Sequence, residues 1–192
     1  MSTQNVVKSS PKGLNAAVEQ SKGRKLPPVH LWNPPYCGDL DIQIKRDGTW
    51  IHEGGKINRS EMVRLFSSIL RKEGDSYFLV TPVEKVGITV EDVPFVATDM
   101  TVSGTGSKQT LTFETHVGDS VVVDADHPIR VALDKDGETP LPYVMVRSNL
   151  EARIDRKTFY RLVEQGHEVD GWFGVTSSGV FFPLIKADQL EA

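Results

Sequence analysis

The pattern of apolar and polar residues divides the chain into short strands and two helices, preceded by a segment without periodicity. Residues 1–26 mix serine, glutamine, asparagine, lysine and glycine, and we expect them to be a disordered basic tail. Polar and apolar residues then alternate from Asp41 to Ile44, as in a strand with one buried face. Asp47-Gly48 is typical of a tight hairpin turn, and Trp50-Ile51 begins the return strand.

One apolar stripe at helical spacing predicts the first helix. The stripe consists of Met62, Leu65, Phe66, Ile69 and Leu70. Asn58 is the expected N-cap, and Glu61, three residues later, can complete a capping box. Gly74 is the expected end of this helix, because glycine adopts the left-handed conformation that stops helices at little cost.

From residue 77 to residue 147 the sequence consists of short runs rich in β-branched and aromatic residues, divided by Pro, Gly or Asp. Seven of these runs are predicted strands, at residues 77–80, 88–90, 96–102, 110–116, 121–123, 129–133 and 144–147. Such a density of strands predicts an antiparallel sheet that curls toward a barrel. The segment 104–108 contains two glycines and a lysine, but it lacks the spacing of a phosphate loop, so we expect a hairpin tip.

A second helix is predicted between Asp155, its N-cap, and Gly166, followed by a hairpin over residues 172–184. The run I-D-R-K-T-F-Y-R-L-V from Ile154 aligns with I-N-R-S-E-M-V-R-L-F from Ile57 at a constant offset of 97 residues. The glycines expected after the two helices, Gly74 and Gly171, keep the same offset. Ten residues can agree by chance, but duplication of a strand–helix–strand unit explains the caps, the stripes and the glycines together.

Four runs of sequence resemble the bacterial DUF1285 family. They are G-D-L-D-I-Q-I-K-R-D-G-T-W-I-H-E-G from Gly38, the helical run from Ile57, Y-F-L-V-T-P-V-E-K from Tyr77, and E-D-V-P-F from Glu91. The resemblance implies an α+β architecture of two duplicated domains, the C-terminal one superficially like a pleckstrin-homology barrel. It also implies a site for a nucleotide-like ligand at the domain interface, and a role in signal transduction.

These observations predict two domains after the tail. We expect an N-terminal α+β domain at residues 27–85. We expect a C-terminal domain at residues 86–192 that is a curled antiparallel sheet or barrel with one helix.

Composition and charge narrow the classes of partner. No apolar run approaches the roughly 20 residues that cross a bilayer, so no membrane span is expected. A single cysteine, Cys37, fits a reducing compartment, and we expect a cytoplasmic protein. The net charge is −4, although residues 1–30 hold five basic side chains and one acidic one, so the rest of the chain is a poor binder of duplex nucleic acid. The basic tail either contacts an acidic partner or is only solvated.

The first candidate ligand-binding residues are Arg59 and Arg156, at equivalent positions near the starts of the two helices. The positive end of the helix dipole disfavours a cation there unless an anion lies nearby. Guanidinium and free N–H groups together can bind phosphate or carboxylate. A salt bridge to a local acid, or simple solvation, is the alternative for both residues.

The second group of candidates lies near the junction of the two halves. Glu84, Lys85 and Asp92 could hydrogen-bond a polar ligand while the ring of Phe95 stacks on it. The alternative, which we favour for these four residues, is a salt-bridge cluster with Phe95 in the core. Trp32, in the Pro-rich entry, either covers a pocket or packs on the hairpin.

These features favour a binding or regulatory protein for a small anionic, nucleotide-like ligand. No catalytic triad, carboxylate pair or metal-ligand spacing is visible, so we predict no catalytic residue, metal or cofactor. The alternative function is a protein-interaction adaptor that docks a protein partner on its C-terminal half, without ligand chemistry.

Overall fold

The computed structural model describes residues 26–189, which form two compact units, one ending at Pro94 and the other beginning at Phe95. Apart from Leu26, the predicted disordered tail lies outside the described residues. The helices are α1 (Ser60–Ser68) and α2 (Arg156–Val163), and neither is long and apolar enough to cross a membrane. The strands are β1 (Tyr36–Ile44), β2 (Trp50–His52), β3 (Gly55–Lys56), β4 (Leu70–Glu73), β5 (Ser76–Val80), β6 (Lys85–Val90), β7 (Phe95–Ser103), β8 (Thr110–Thr115), β9 (Ser120–Val122), β10 (Ile129–Leu133), β11 (Pro140–Arg147), β12 (Leu150–Ile154), β13 (His167–Val169), β14 (Trp172–Ser177) and β15 (Val180–Lys186).

The first unit is a six-stranded sheet with α1 against one face. Its strand order is β3-β2-β1-β6-β5-β4, so two antiparallel meanders meet at the parallel pair β1–β6. The predicted alternation of β1 is confirmed, because Ile42 and Ile44 are buried. Phe66 of α1 stacks on Trp50 of β2 with ring centroids 6.0 Å apart, which packs the helix on the face that carries these residues.

The predicted bounds of the first helix are wrong at both ends. The N-cap is Arg59 rather than Asn58, and there is no side-chain cap because a guanidinium has no acceptor for the helix N–H groups. Glu61 then sits one position too early to complete a capping box. The helix ends at Ser68, and Leu70–Glu73 forms strand β4, paired with β5. Gly74 has the positive φ expected of it, but in the β4–β5 turn, since pairing with β5 outweighs the helical spacing of Leu70.

The seven strands predicted between residues 77 and 147 are present, but they belong to two sheets. β5 and β6 complete the first sheet, where β6 pairs with both β1 and β5. The first unit therefore extends to Pro94, beyond the boundary predicted after Lys85. Periodicity identifies a strand but gives no information on which distant strand will pair with it.

The second unit has a curled six-stranded sheet in the order β10-β11-β12-β7-β8-β9, and a separate three-stranded sheet, β13-β14-β15. The sheet is not purely antiparallel as predicted, because β7 and β12 pair in parallel. The segment 104–108 is the predicted tip between the paired strands β7 and β8. Asp155 caps α2 as predicted, and its carboxylate accepts a hydrogen bond from the Thr158 amide at 2.8 Å.

The two units share a local arrangement at the aligned sequences. Each helix follows a strand and leads into an antiparallel three-stranded meander, β4–β5–β6 in the first unit and β13–β14–β15 in the second. Gly74 and Gly171 both have positive φ, +57° and +80°, in the first turn of these meanders. The chain thus has the α+β architecture of two related domains that the duplication predicts.

One buried serine joins the two sheets of the second unit. The Oγ of Ser177, on β14, accepts a hydrogen bond from the Leu111 amide at 2.9 Å and donates one to the Val123 carbonyl at 2.7 Å. Ser178 also donates its backbone N–H to the Gln109 carbonyl at 2.9 Å. The turn after β14 is therefore fixed to the ends of β8 and β9 by polar contacts, and those of Ser177 are buried.

Replacement of Ser177 by alanine should destabilise the protein by about 1–3 kcal/mol, because the buried Leu111 amide loses its acceptor. Urea denaturation measures this free energy of unfolding. The matched control is Ser120→Ala on the exposed end of β9, which should change stability by less than about 0.5 kcal/mol. Equal effects of the two substitutions would contradict the structural role of the Ser177 hydroxyl.

Candidate functional site

A cavity of about 260 Å³ lies between α1 and the first sheet. Its walls are mostly aliphatic, formed by Leu40, Ile42, Ile57, Met62, Phe66, Ile69, Leu79 and Val86. Met62, Phe66 and Ile69 belong to the apolar stripe that predicted the helix, so part of that stripe faces empty space instead of close-packed side chains. A partly open apolar space of this kind is typical of sites for small ligands.

The polar residues of the cavity wall are His52, Thr81 and Glu84. His52 comes from the end of β2, beside Ile42 of β1. Thr81 and Glu84 come from the turn between β5 and β6. A ligand in this cavity would meet aliphatic surface on most sides and hydrogen-bonding groups at these three residues.

The turn that carries Glu84 is held by the buried Thr81. The Thr81 Oγ1 accepts hydrogen bonds from the amides of Glu84, at 3.1 Å, and Val83, at 3.4 Å. The Thr81 amide donates to the Glu84 carbonyl at 2.9 Å. These bonds fix the backbone of Glu84 at the cavity wall, and its carboxylate has no hydrogen bond or ion pair with any other residue between 26 and 189.

Lys85 is the next residue along the chain, but its side chain lies on the opposite face of the sheet. Its ammonium binds the Glu73 carboxylate at 2.9 Å and lies 4.8 Å from the centre of the Phe78 ring. Glu73 also binds the Arg71 guanidinium, which in turn donates to the Trp32 carbonyl at 2.7 Å. Lys85 therefore belongs to a charged cluster and does not neutralise Glu84.

A second, more open hollow of about 540 Å³ lies beside that cluster. The Tyr36 hydroxyl donates to the Asp39 carboxylate at 2.7 Å, and this bond raises the pKa of Tyr36. The carboxylate of Asp39 lies directly over Gly87, where any side chain would overlap it. Lys85 and Phe78 also line this hollow. Because side chains alternate along a strand, Lys85 and Val86 lie on opposite faces of the sheet, and so do the two hollows that they line.

The two candidate arginines differ in their surroundings. Arg156 is the first residue of α2, and its Nε donates to the Tyr160 hydroxyl at 2.9 Å on the same helix. Arg59 is the exposed N-cap of α1, and its guanidinium has no hydrogen bond or ion pair to another residue in the described part of the chain. Ile57 and Met62, on either side of Arg59 in sequence, both line the cavity.

The remaining candidates, Phe95, Asp92 and Trp32, each contact other residues of the protein. Phe95 is fully buried as the first residue of β7, and the Arg147 guanidinium lies 4.7 Å from its ring centre. This burial agrees with the favoured alternative of a core residue, and stacking on a ligand stays a prediction. Asp92 is half-buried and has a polar partner. Trp32 is half-buried, and its carbonyl is bound by Arg71.

Of the predicted ligand-binding residues, the structure places only Glu84 in the wall of the apolar cavity and Lys85 in that of the second hollow. His52 and Thr81 were missed by the sequence analysis. The pairing of His52 with Ile42 places them on the same face, but this register is visible only once β1 and β2 are aligned. The predicted ligand site between the two halves stays a prediction.

The charged cluster around Glu73 should make stability depend on pH. The hydrogen bonds from Lys85 and Arg71 hold the pKa of the Glu73 carboxyl below its usual value. A depressed pKa contributes stability above the usual pKa of a glutamate, and this stability is lost as the pH falls through the lower value. The stability advantage of the native protein over Glu73→Gln should therefore be present at neutral pH and shrink on acidification below about pH 4.

Urea denaturation of both proteins over a pH series measures this difference. Glu53→Gln, in an exposed turn, is the matched control and should have a small effect throughout. An advantage over Glu73→Gln that is as large in acid as at neutral pH would contradict the role of the ion pairs.

Comparison with known proteins agrees with these unit boundaries. A family model described as the N-terminal domain of DUF1285, a domain of unknown function, matches residues 27–93. A model described as the C-terminal domain of DUF1285 proteins, also of unknown function, matches residues 94–184. No match is found among curated proteins.

Two solved structures are similar to this chain. The crystal structure of a DUF1285 family protein from Silicibacter pomeroyi DSS-3 has 58% sequence identity and a TM-score of 0.87, covering 94% of this chain and 98% of that one. A DUF1285 family protein from Shewanella baltica OS155 has 28% identity and a TM-score of 0.52, covering 65% of this chain and 91% of that one. With both family models matched in order over most of its length, the chain belongs to the DUF1285 family.

Proposed function

We propose that the protein is a binding and regulatory protein whose N-terminal unit takes up a small, nucleotide-like ligand in the cavity under α1. The observation that carries this proposal is the apolar cavity of about 260 Å³ with three polar residues in its wall. Natural interiors leave few voids larger than a water molecule, so an apolar space of this size is a feature that requires an explanation. A base or another compact ring would fill it with aliphatic contacts on both faces.

The anionic part of the ligand is proposed on the basis of Arg59. This guanidinium is exposed at the N-terminus of α1, where helix N–H groups also favour negative charge. The chain on either side of Arg59 lines the cavity, so a phosphate attached to a buried ring would lie on the same side of the unit. Arg156 is a weaker candidate, because its guanidinium already bonds Tyr160. The regulatory part of the proposal rests on the family resemblance alone.

The cavity can be tested by filling it. Ile57→Phe should occupy the space and lower the affinity for nucleoside monophosphates at least about tenfold, while the protein stays folded. Isothermal titration calorimetry gives the affinity, and thermal unfolding checks the fold. Ile51→Phe makes the same change at a half-buried position outside the cavity wall, and it should leave binding unchanged. Unchanged affinity in Ile57→Phe would contradict the cavity as the site.

The proposed anion contact can be tested by comparing each nucleoside monophosphate with its uncharged nucleoside. Arg59→Gln should lower the affinity for the monophosphate roughly tenfold or more, toward that of the nucleoside, because one charge-assisted contact is lost. Arg64→Gln, an exposed arginine further along α1, is the matched control and should leave both affinities unchanged. Equal losses for nucleoside and monophosphate would contradict a role for Arg59 in binding the phosphate.

Docking of a protein partner on the C-terminal unit is the second candidate function. Tyr160 and Trp172 are 55% and 40% exposed, and such aromatic side chains dominate the energetics of protein interfaces. Capture of a partner from native extract should then fail for the variant with both residues changed to alanine. Removal of residues 1–26 tests the tail as a second contact, and capture that survives both changes would contradict the adaptor function.

A further inference from the structure

Glu84 is the acidic residue in the wall of a mostly aliphatic cavity. Its carboxylate has no partner among residues 26–189, and Thr81, another polar residue of the wall, bonds only the backbone of Glu84. An ionised carboxylate that a ligand removes from water must receive hydrogen bonds from that ligand, because an unpaired buried charge is very unfavourable. The carboxylate therefore restricts which ligands the cavity can accept.

The backbone of Glu84 is fixed independently of any ligand. The Thr81 hydroxyl and amide hold the turn through bonds to the Glu84 amide and carbonyl. The one nearby cation in sequence, Lys85, is committed to Glu73 on the other face of the sheet, at 2.9 Å. An acceptor on a fixed backbone, without its own counterion, gives specificity, since binding then depends on the donors that the ligand supplies.

An ionised carboxylate is an acceptor only, with two oxygens that can receive two parallel hydrogen bonds. Its best planar partner is a group with N–H donors on two neighbouring atoms. A guanine-type ring has such an edge, formed by a ring N–H beside an exocyclic amino group. An adenine-type edge places an acceptor nitrogen beside its amino group, so the second carboxylate oxygen would face a lone pair.

We infer that Glu84 is the specificity residue of this cavity and selects a ligand ring that presents two adjacent N–H donors. The inference rests on the proposed function, since it names the class of ring that the cavity under α1 accepts. The aliphatic wall contacts the faces of the ring, and the Glu84 carboxylate binds its donor edge.

The test compares guanosine 5′-monophosphate with adenosine 5′-monophosphate on the full chain by isothermal titration calorimetry. The native protein should prefer the guanosine nucleotide roughly 10- to 100-fold, the value of one hydrogen bond to a charged group. Glu84→Gln should abolish most of this preference, because an amide offers one acceptor and turns a donor toward the ligand's donors. Thermal unfolding should show that this nearly isosteric variant is folded.

The matched control is Glu61→Gln, which makes the same chemical change on an exposed residue of α1 that does not line the cavity. It should keep the full preference for the guanosine nucleotide. A preference for the adenosine nucleotide, or a preference for guanosine that survives Glu84→Gln, would overturn the role of Glu84 and leave the cavity as a nucleotide site. Absence of binding by either nucleotide to the native protein would overturn the proposed function, and this inference with it.

Discussion

The parallel pairing of β1 with β6 is the constraint on which the first unit depends. β1 is an edge strand of the antiparallel meander β1–β2–β3, and β6 is an edge strand of the meander β4–β5–β6. In the described sheet, β1 and β6 are the only strands that hydrogen-bond one meander to the other. Without it, β1–β3 would be a small three-stranded sheet with both edges unpaired, and unpaired edges can pair with other chains. The pairing also places Leu40 and Ile42 of β1 and Val86 of β6 in the wall of the same cavity. The candidate site thus exists because two strands far apart in sequence lie side by side.

Features determined by local sequence could be predicted, and features determined by distant partners could not. Asp155 was recognised as a cap because its acceptor lies three residues from the amide that it binds. The end of α1 was misplaced because Leu70 fits the apolar stripe of the helix and the buried face of β4 equally well. Only pairing with β5 decides between them. For the same reason, the sequence does not show that β5 and β6 pair within the first sheet.

The candidate site shows the same division. Glu84 was chosen from the sequence as a charged residue beside a proline, and the structure places it in the wall of a cavity. Phe95 is buried, in agreement with the core alternative that the sequence favours, because an aromatic residue that begins a central strand has buried neighbours on both sides. Sequence could not identify the cavity itself, since the apolar stripe of α1 predicts a buried face without showing how closely that face is packed.

The alternation of side chains along β6 has a mechanical consequence. Lys85 and Gly87 border one hollow and Val86 borders the other, so a single layer of backbone separates the two spaces. A displacement of this strand toward one space enlarges the other by a similar amount. The first sheet is therefore a partition shared by the two hollows, with one layer of backbone between their contents.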